Sequence, residues 1–209
     1  MLASPFLQVL DCKAGFNLQD KPQRHYDAME HKLDLTAENG SQSSIVFWLG
    51  ENAFKAMRAS GEFQDKQRLG RRIAKDRKYD IAEGPTRACL EAIGKVDALP
   101  SSKACLLVSG TLTTGAKACE FFEAAHAADG SSAMIQETVS IPGIIGKIFL
   151  QGTLGKEEKI VGGFYLFEDE QSLDAYLSSE SWATTCAAMP WEDVKTDRYR
   201  VAAEASASA

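Results

Sequence analysis

Two stretches of this chain share one build. "VFWLGENAFKAMRASGEF" (Val46–Phe63) opens as an apolar run, breaks at Gly50, and continues with Phe54, Met57 and Phe63 at helical spacing. "YLFEDEQSLDAYLSSESW" (Tyr165–Trp182) has the same build at an offset of 119 residues. The offset pairs Trp48 with Phe167, Phe54 with Leu173, Met57 with Tyr176 and Phe63 with Trp182. A strand that feeds straight into a helix with a regular apolar stripe must lay that stripe on its own sheet. Two such units in one chain predict an internal repeat.

A length of 209 residues accommodates two units of about 100 residues each. The second half reads clearly: a buried strand "ACLLVSGTL", a helix "TTGAKACEFFEAAHAADG", and one long strand "AMIQETVSIPGIIGKIFLQGTL" broken near Pro142-Gly143. The strand "KIVGGFYLFED", a single helix "EQSLDAYLSSESWATTCAAM" and the closing strand "WEDVKTDRYRV" follow. The order β-α-β-β-α-β is the ferredoxin-like unit, so the fold class expected is α+β. In the first half, "PFLQVLDCKA" and "SSIVFWLG" read as strands. "DKPQRHYDAMEHKLDLTAENG" reads as a helix through Tyr26, Met29 and Leu33, and Glu51 to about Ile73 as another. "RACLEAIGKV" fits a short helix or a strand. No second strand is evident before Trp48, which makes this half a degenerate copy. With Asp97–Ser102 as linker, the expected domains are 1–98 and 103–202.

The net charge of −6 argues against a nucleic-acid partner. Its distribution is uneven: "KQRLGRRIAKDRK" (Lys66–Lys78) carries seven Lys or Arg against one Asp. It is either a solvated helix face with its exit loop, or a docking surface presenting Arg68, Arg71 and Arg72 to an anionic partner or protein assembly. The five cysteines form no CxxC pair, and their odd number suits reduced thiols in a soluble intracellular protein, cytoplasmic or imported into an organelle. With three histidines and no ligand spacing, no metal site is expected. No run reaches the roughly 20 apolar residues of a membrane span. Gly162-Gly163 fits a bulge or close sheet packing better than a phosphate loop, because no helix start follows it.

"VFWLGENAFKAMRASGEF", "GGFYLFEDEQSLDAYL" and "WEDVKTDRYRV" resemble the dimeric α+β barrel superfamily, which includes the antibiotic-biosynthesis and haem-degrading mono-oxygenases. The resemblance covers Ala104–Val201 and, more loosely, Pro5 to Tyr79. It implies two ferredoxin-like units in tandem, arranged like a barrel otherwise formed by a homodimer, with a pocket between helices and sheet. The haem-degrading branch needs an Asn on the first strand and a Trp and a His on the second helix. Those helix positions hold Met57 and Gln67 here, or Tyr176 and Cys186, and neither first strand contains Asn. On this resemblance haem breakdown by that route is therefore not expected, and no cofactor is expected, with a haem or tetrapyrrole handler as a third reading.

What it implies instead is a cofactor-independent mono-oxygenase or cyclase-type protein that binds a small aromatic molecule. His126, Tyr165 and Tyr176 are the candidate acid–base groups, and Phe121, Phe149, Trp182 and Cys186 the substrate-binding walls. The competing expectation is a non-catalytic accessory or scaffold subunit that uses the same fold to dock on a larger assembly. Replacing Arg68, Arg71 and Arg72 by Glu tests the docking surface. It is expected to weaken recovery of a native partner and leave the melting temperature unchanged, and raised salt should imitate the loss. Unchanged recovery with a lowered melting temperature marks these arginines as ordinary structure.

Overall fold

Glu38-Asn39-Gly40-Ser41 closes a hairpin, and that turn decides the first half. The computed structural model describes residues 6–12, 29–48, 73–94, 101–127, 133–152 and 159–201. Gly40 takes φ +77°, Ala37 N–H donates to Ser41 O at 2.9 Å, and Ser41 N–H donates to the Asn39 side chain. Asn-Gly supplies such left-handed turns at low steric cost. The strands it joins are β2 (Met29–Ala37) and β3 (Gln42–Trp48), preceded by β1 (Phe6–Cys12). A helix was expected over the β2 residues. Leu33 and Leu35 are instead buried on either side of the half-buried Asp34, an alternation with a period of two residues, and the missing second strand is thereby found.

The chain divides into two compact units, Met1–Tyr79 with Tyr199–Ala209, and Asp80–Arg198. The division thus falls between Tyr79 and Asp80, where the sequence suggested 98–103. In the first unit β1, β3 and β2 lie side by side in that order, antiparallel throughout. Strand β4 (Ile73–Ile81) is tied to β1 by Gln8 Nε2 donating to Asp76 at 2.8 Å and by an Arg77–Asp11 ion pair at 2.9 Å. Arg77 and Lys78, the end of the basic segment, are therefore strand residues; Arg68, Arg71 and Arg72 lie outside the described residues.

The second unit opens with α1 (Glu83–Ile93), ended by Gly94 in the left-handed conformation, and β5 (Ala104–Leu112). Next come α2 (Ala118–Ala127), α3 (Ala133–Val139), β6 (Ile144–Gln151) and β7 (Ile160–Phe167). Helices α4 (Glu170–Leu177) and α5 (Glu180–Ala188) lead to β8 (Trp191–Val201). Strands β5, β7 and β6 pair antiparallel, again with the third strand in the middle. This is the expected α+β, ferredoxin-like order, with each helical position split in two. Helix α1, expected in the first domain, packs on β6 here, and its Thr86 hydroxyl accepts from Phe149 N–H at 3.0 Å.

Two other expectations are corrected. The segment before Pro142 is the helix α3 rather than strand, burying Ile135 and Thr138 three residues apart; its Ala, Met, Gln and Glu are good helix formers. The expected break is real: Gly143 turns at φ +71° and the register shifts between Ile144 and Gly146. The single helix expected after Glu168 is two, because Ser179 Oγ donates to Tyr176 O at 2.6 Å and accepts from Trp182 N–H at 3.1 Å. One hydroxyl ends α4 and caps α5.

Gly162 and Gly163 sit inside β7 in unbroken register with β5 and β6, so they form no bulge. A Cβ on Gly162 would lie 2.3 Å from Val108 O. Gly162→Ala is expected to cost about 1–3 kcal/mol through overpacking. Gly115→Ala, with nothing within 4 Å of the added carbon, serves as the near-neutral control in parallel denaturant melts.

Candidate functional site

Strand β6 reads Ile-Ile-Gly-Lys-Ile-Phe-Leu-Gln and is buried from Ile144 to Leu150. In the middle of this apolar run stands Lys147, 6% exposed. Register places it directly beside Tyr165 on β7, with Leu106 of β5 on the far side of Tyr165. The lysine stem and the Tyr165 ring occupy the space that Gly163 leaves free: a Cβ there would meet Tyr165 Cε2 at 2.8 Å and Lys147 Cε at 3.2 Å. The tight glycine thus makes room for the site.

Lys147 Nζ lies 4.5 Å from the Phe149 ring centroid and 4.4 Å from that of Tyr165. Such ring faces attract a cation. Nζ donates to Thr138 Oγ1 at 3.3 Å, while Thr138 itself donates to Met134 O at 2.7 Å, which turns its lone pairs toward the amine. Among the described residues no carboxylate lies within ion-pair distance of Nζ. Burial accordingly pulls the Lys147 pKa down from 10.5 to about 8, with Cys89 and the Glu137 carboxylate working against the shift.

Above the sheet, Thr185, Tyr176 and Tyr165 are linked through their hydroxyls. The two tyrosine rings are 5.8 Å apart, and Trp182 packs edge-on to Tyr176 at 5.5 Å. Burial raises both phenol pKa values, so these groups remain proton-bearing donors at neutral pH. Lys147, Tyr165, Tyr176, Thr138, Glu137 and Thr185 line one cavity of about 20 Å³ between α3, α4, α5 and the sheet, room for about one water. The arrangement can hold or exchange a proton at Nζ and can donate hydrogen bonds to an oxyanion.

The structure brings together three of the residues singled out in the sequence. Tyr165 and Tyr176 line the cavity, and Phe149 lies beneath the amine. Trp182 stands behind Tyr176, outside the lining. Phe121 packs on the cluster that holds Phe122 and Phe149, 5.4 Å from Phe122, and does not line the cavity. Cys186 is half-buried on α5, adjacent to Thr185 but not lining the cavity; burial raises its thiol pKa. His126 is on α2, with its side chain outside the described residues. Lys147 escaped the sequence reading, although a lone lysine within "IIGKIFLQ" was a readable signal: a charge in an otherwise apolar strand is costly without a purpose. Among the described residues no cluster of His, Cys, Asp and Glu is arranged to hold a metal ion, and no helix is long and apolar enough to cross a membrane.

The depressed lysine has a stability consequence. Between pH 8 and 10.5 the unfolded chain keeps the proton that the folded chain has lost, so the penalty of this group is full below pH 8 and fades as pH rises. Lys147→Met is expected to be more stable than wild type at pH 7 by about 1–3 kcal/mol. The gap should narrow by about 1 kcal/mol at pH 9. Cys89 and Cys105, pushed up to about 11 and about 12 by burial, titrate in both proteins and largely cancel. Denaturant melts at the two pH values check this; a pH-independent gap removes the depressed lysine.

Residues 118–209 match the sequence family "Putative mono-oxygenase ydhR". No curated protein sequence matches the chain. Among solved structures, an anthrone oxidase-like protein aligns over 97% of this chain and 92% of its own, with TM-score 0.58 and 11% identity. A putative monooxygenase from Fusobacterium nucleatum aligns over 96% and 94%, at TM-score 0.60 and 14% identity. Another from Lactobacillus acidophilus aligns over 94% and 93%, at TM-score 0.51 and 12% identity. Residues 118–209 are thus similar to the ydhR mono-oxygenase family, and the chain shares the α+β fold of these solved structures.

Proposed function

We propose that the second unit binds a small electron-rich aromatic molecule at the Lys147 cavity and oxygenates it without a cofactor. The observation that carries this reading is the buried amine of Lys147, set beside two proton-bearing phenols. A phenol or carbon acid would give its proton to Nζ, and the resulting ammonium would remain over the Phe149 and Tyr165 rings, paired with the substrate anion. Tyr176 and Tyr165 would donate to the developing oxyanion. For an anthrone, the substrate of the kind named for one structural neighbour, the balance is one anthrone and one O₂ to one anthraquinone and one water. The substrate itself supplies all four electrons. A ring system enters only if the rim widens at the exposed Glu137 and Ser181, where the unbranched Met134 can yield. The same pocket would serve a cyclase-type reaction, which also begins with enolate formation.

One observation favours a second reading. The cavity holds about 20 Å³, since Tyr165, Tyr176 and Lys147 fill the space a substrate would need, and a filled pocket suits a non-catalytic accessory subunit. Oxygen uptake with anthrone decides between them. The purified chain is expected to consume oxygen above the uncatalysed rate, Lys147→Met to lose roughly 100-fold or more in kcat, and Tyr176→Phe roughly tenfold. Uptake at the background rate in wild type and both variants leaves the accessory reading.

A further inference from the structure

The chemistry around Nζ suits a reaction that needs neither oxygen nor an aromatic substrate. We propose that the Lys147 amine captures a small aldehyde or ketone as a reversible imine, with the carbonyl group seated in the cavity between α3, α4, α5 and the sheet. Four features support it. The cavity is sized for a carbonyl group, at about 20 Å³. The amine is 6% exposed and has no carboxylate within ion-pair distance among the described residues, so no ion pair must be broken before its lone pair is used. The Phe149 and Tyr165 faces at 4.5 and 4.4 Å hold a cation, and a protonated imine keeps that charge at the same nitrogen. Thr138, Tyr176 and Thr185 supply hydroxyls for proton transfer and for the departing water.

The steps balance without an oxidant. The nitrogen lone pair attacks the carbonyl carbon, a C–N bond forms as the C=O π bond breaks onto oxygen, and one proton passes from nitrogen to that oxygen to give a neutral carbinolamine. Loss of that hydroxyl as water, with a proton leaving nitrogen, forms the C=N bond; one further proton gives the iminium. Surface lysines undergo the same reaction slowly at neutral pH because nearly all are protonated. The titratable groups around Nζ are Glu137 on α3, Cys89 on α1, Tyr165 on β7 and Tyr176 on α4. Burial pushes the Cys89 thiol up to about 11 and both phenols further up, so as pH rises the amine, lowered to about 8, loses its proton before these three do.

Reductive trapping tests the capture independently of oxygenation: a chain that consumes no oxygen can still form the adduct, and the reverse. The full chain is treated with acetaldehyde and cyanoborohydride at pH 7, digested, and the N-ethyl content read at Lys147 and at the exposed Lys103, Lys159 and Lys195. Lys147 is expected to be modified about tenfold faster than the exposed three. That advantage should shrink toward pH 10. Lys147→Met should lose the fast phase and keep the slow surface labelling. Ethylation of Lys147 no faster than the exposed lysines overturns the proposal.

Discussion

An amine buried in an apolar strand sets the terms for the second unit. Removing a charged group from water costs several kcal/mol unless the surroundings replace its hydration. Around Lys147 the replacement consists of two ring faces, one threonine hydroxyl and a lowered pKa. Each has a backbone cause. Gly163 clears the space for the stem and the Tyr165 ring. Helix α3 presents Thr138 at the height of the amine, which requires the strand-like run before Pro142 to be helical instead. The break between α4 and α5 at Ser179 sets Tyr176 and Thr185 on two helices that meet over Tyr165.

The first unit shows the same strand pairing. Its third strand lies between the first two, as in the second unit, and several polar groups of its described strands pair with one another. Ser43 donates to Asp11, which also binds Arg77, and Ser44 donates to Asp34. Polar groups satisfied among themselves hold strands together and have little capacity left for a ligand. Trp48 and Phe167 are each the last residue of the central strand of their unit. The remaining matched pairs from Phe54 to Phe63 fall outside the described residues.

Much of the architecture was legible in the chain itself. Strands β1, β3, β5, β7 and β8 follow from apolar, β-branched and aromatic runs, and the ferredoxin-like order follows from their alternation with helical periodicity. The failures share a cause. Residues 29–37, 133–139 and 170–188 carry patterns that fit either element or a longer one, and single local groups decided between them: an Asn-Gly turn, a run of good helix formers, and a serine hydroxyl that competes with the backbone.

By itself the sequence determined the α+β class, the two-unit plan and the apolar faces, because side-chain periodicity and turn residues act over a few positions. It also named Tyr165 and Tyr176. Only the tertiary structure decided that Lys147 faces them, that Phe121 stays out of the cavity lining and that Trp182 stands behind the cavity rather than in it. Those relations depend on strand register and on which helix lies over which strand. A register is a contact between distant segments, and a lysine in an apolar run acquires a lowered pKa only when helices from elsewhere in the chain close over it.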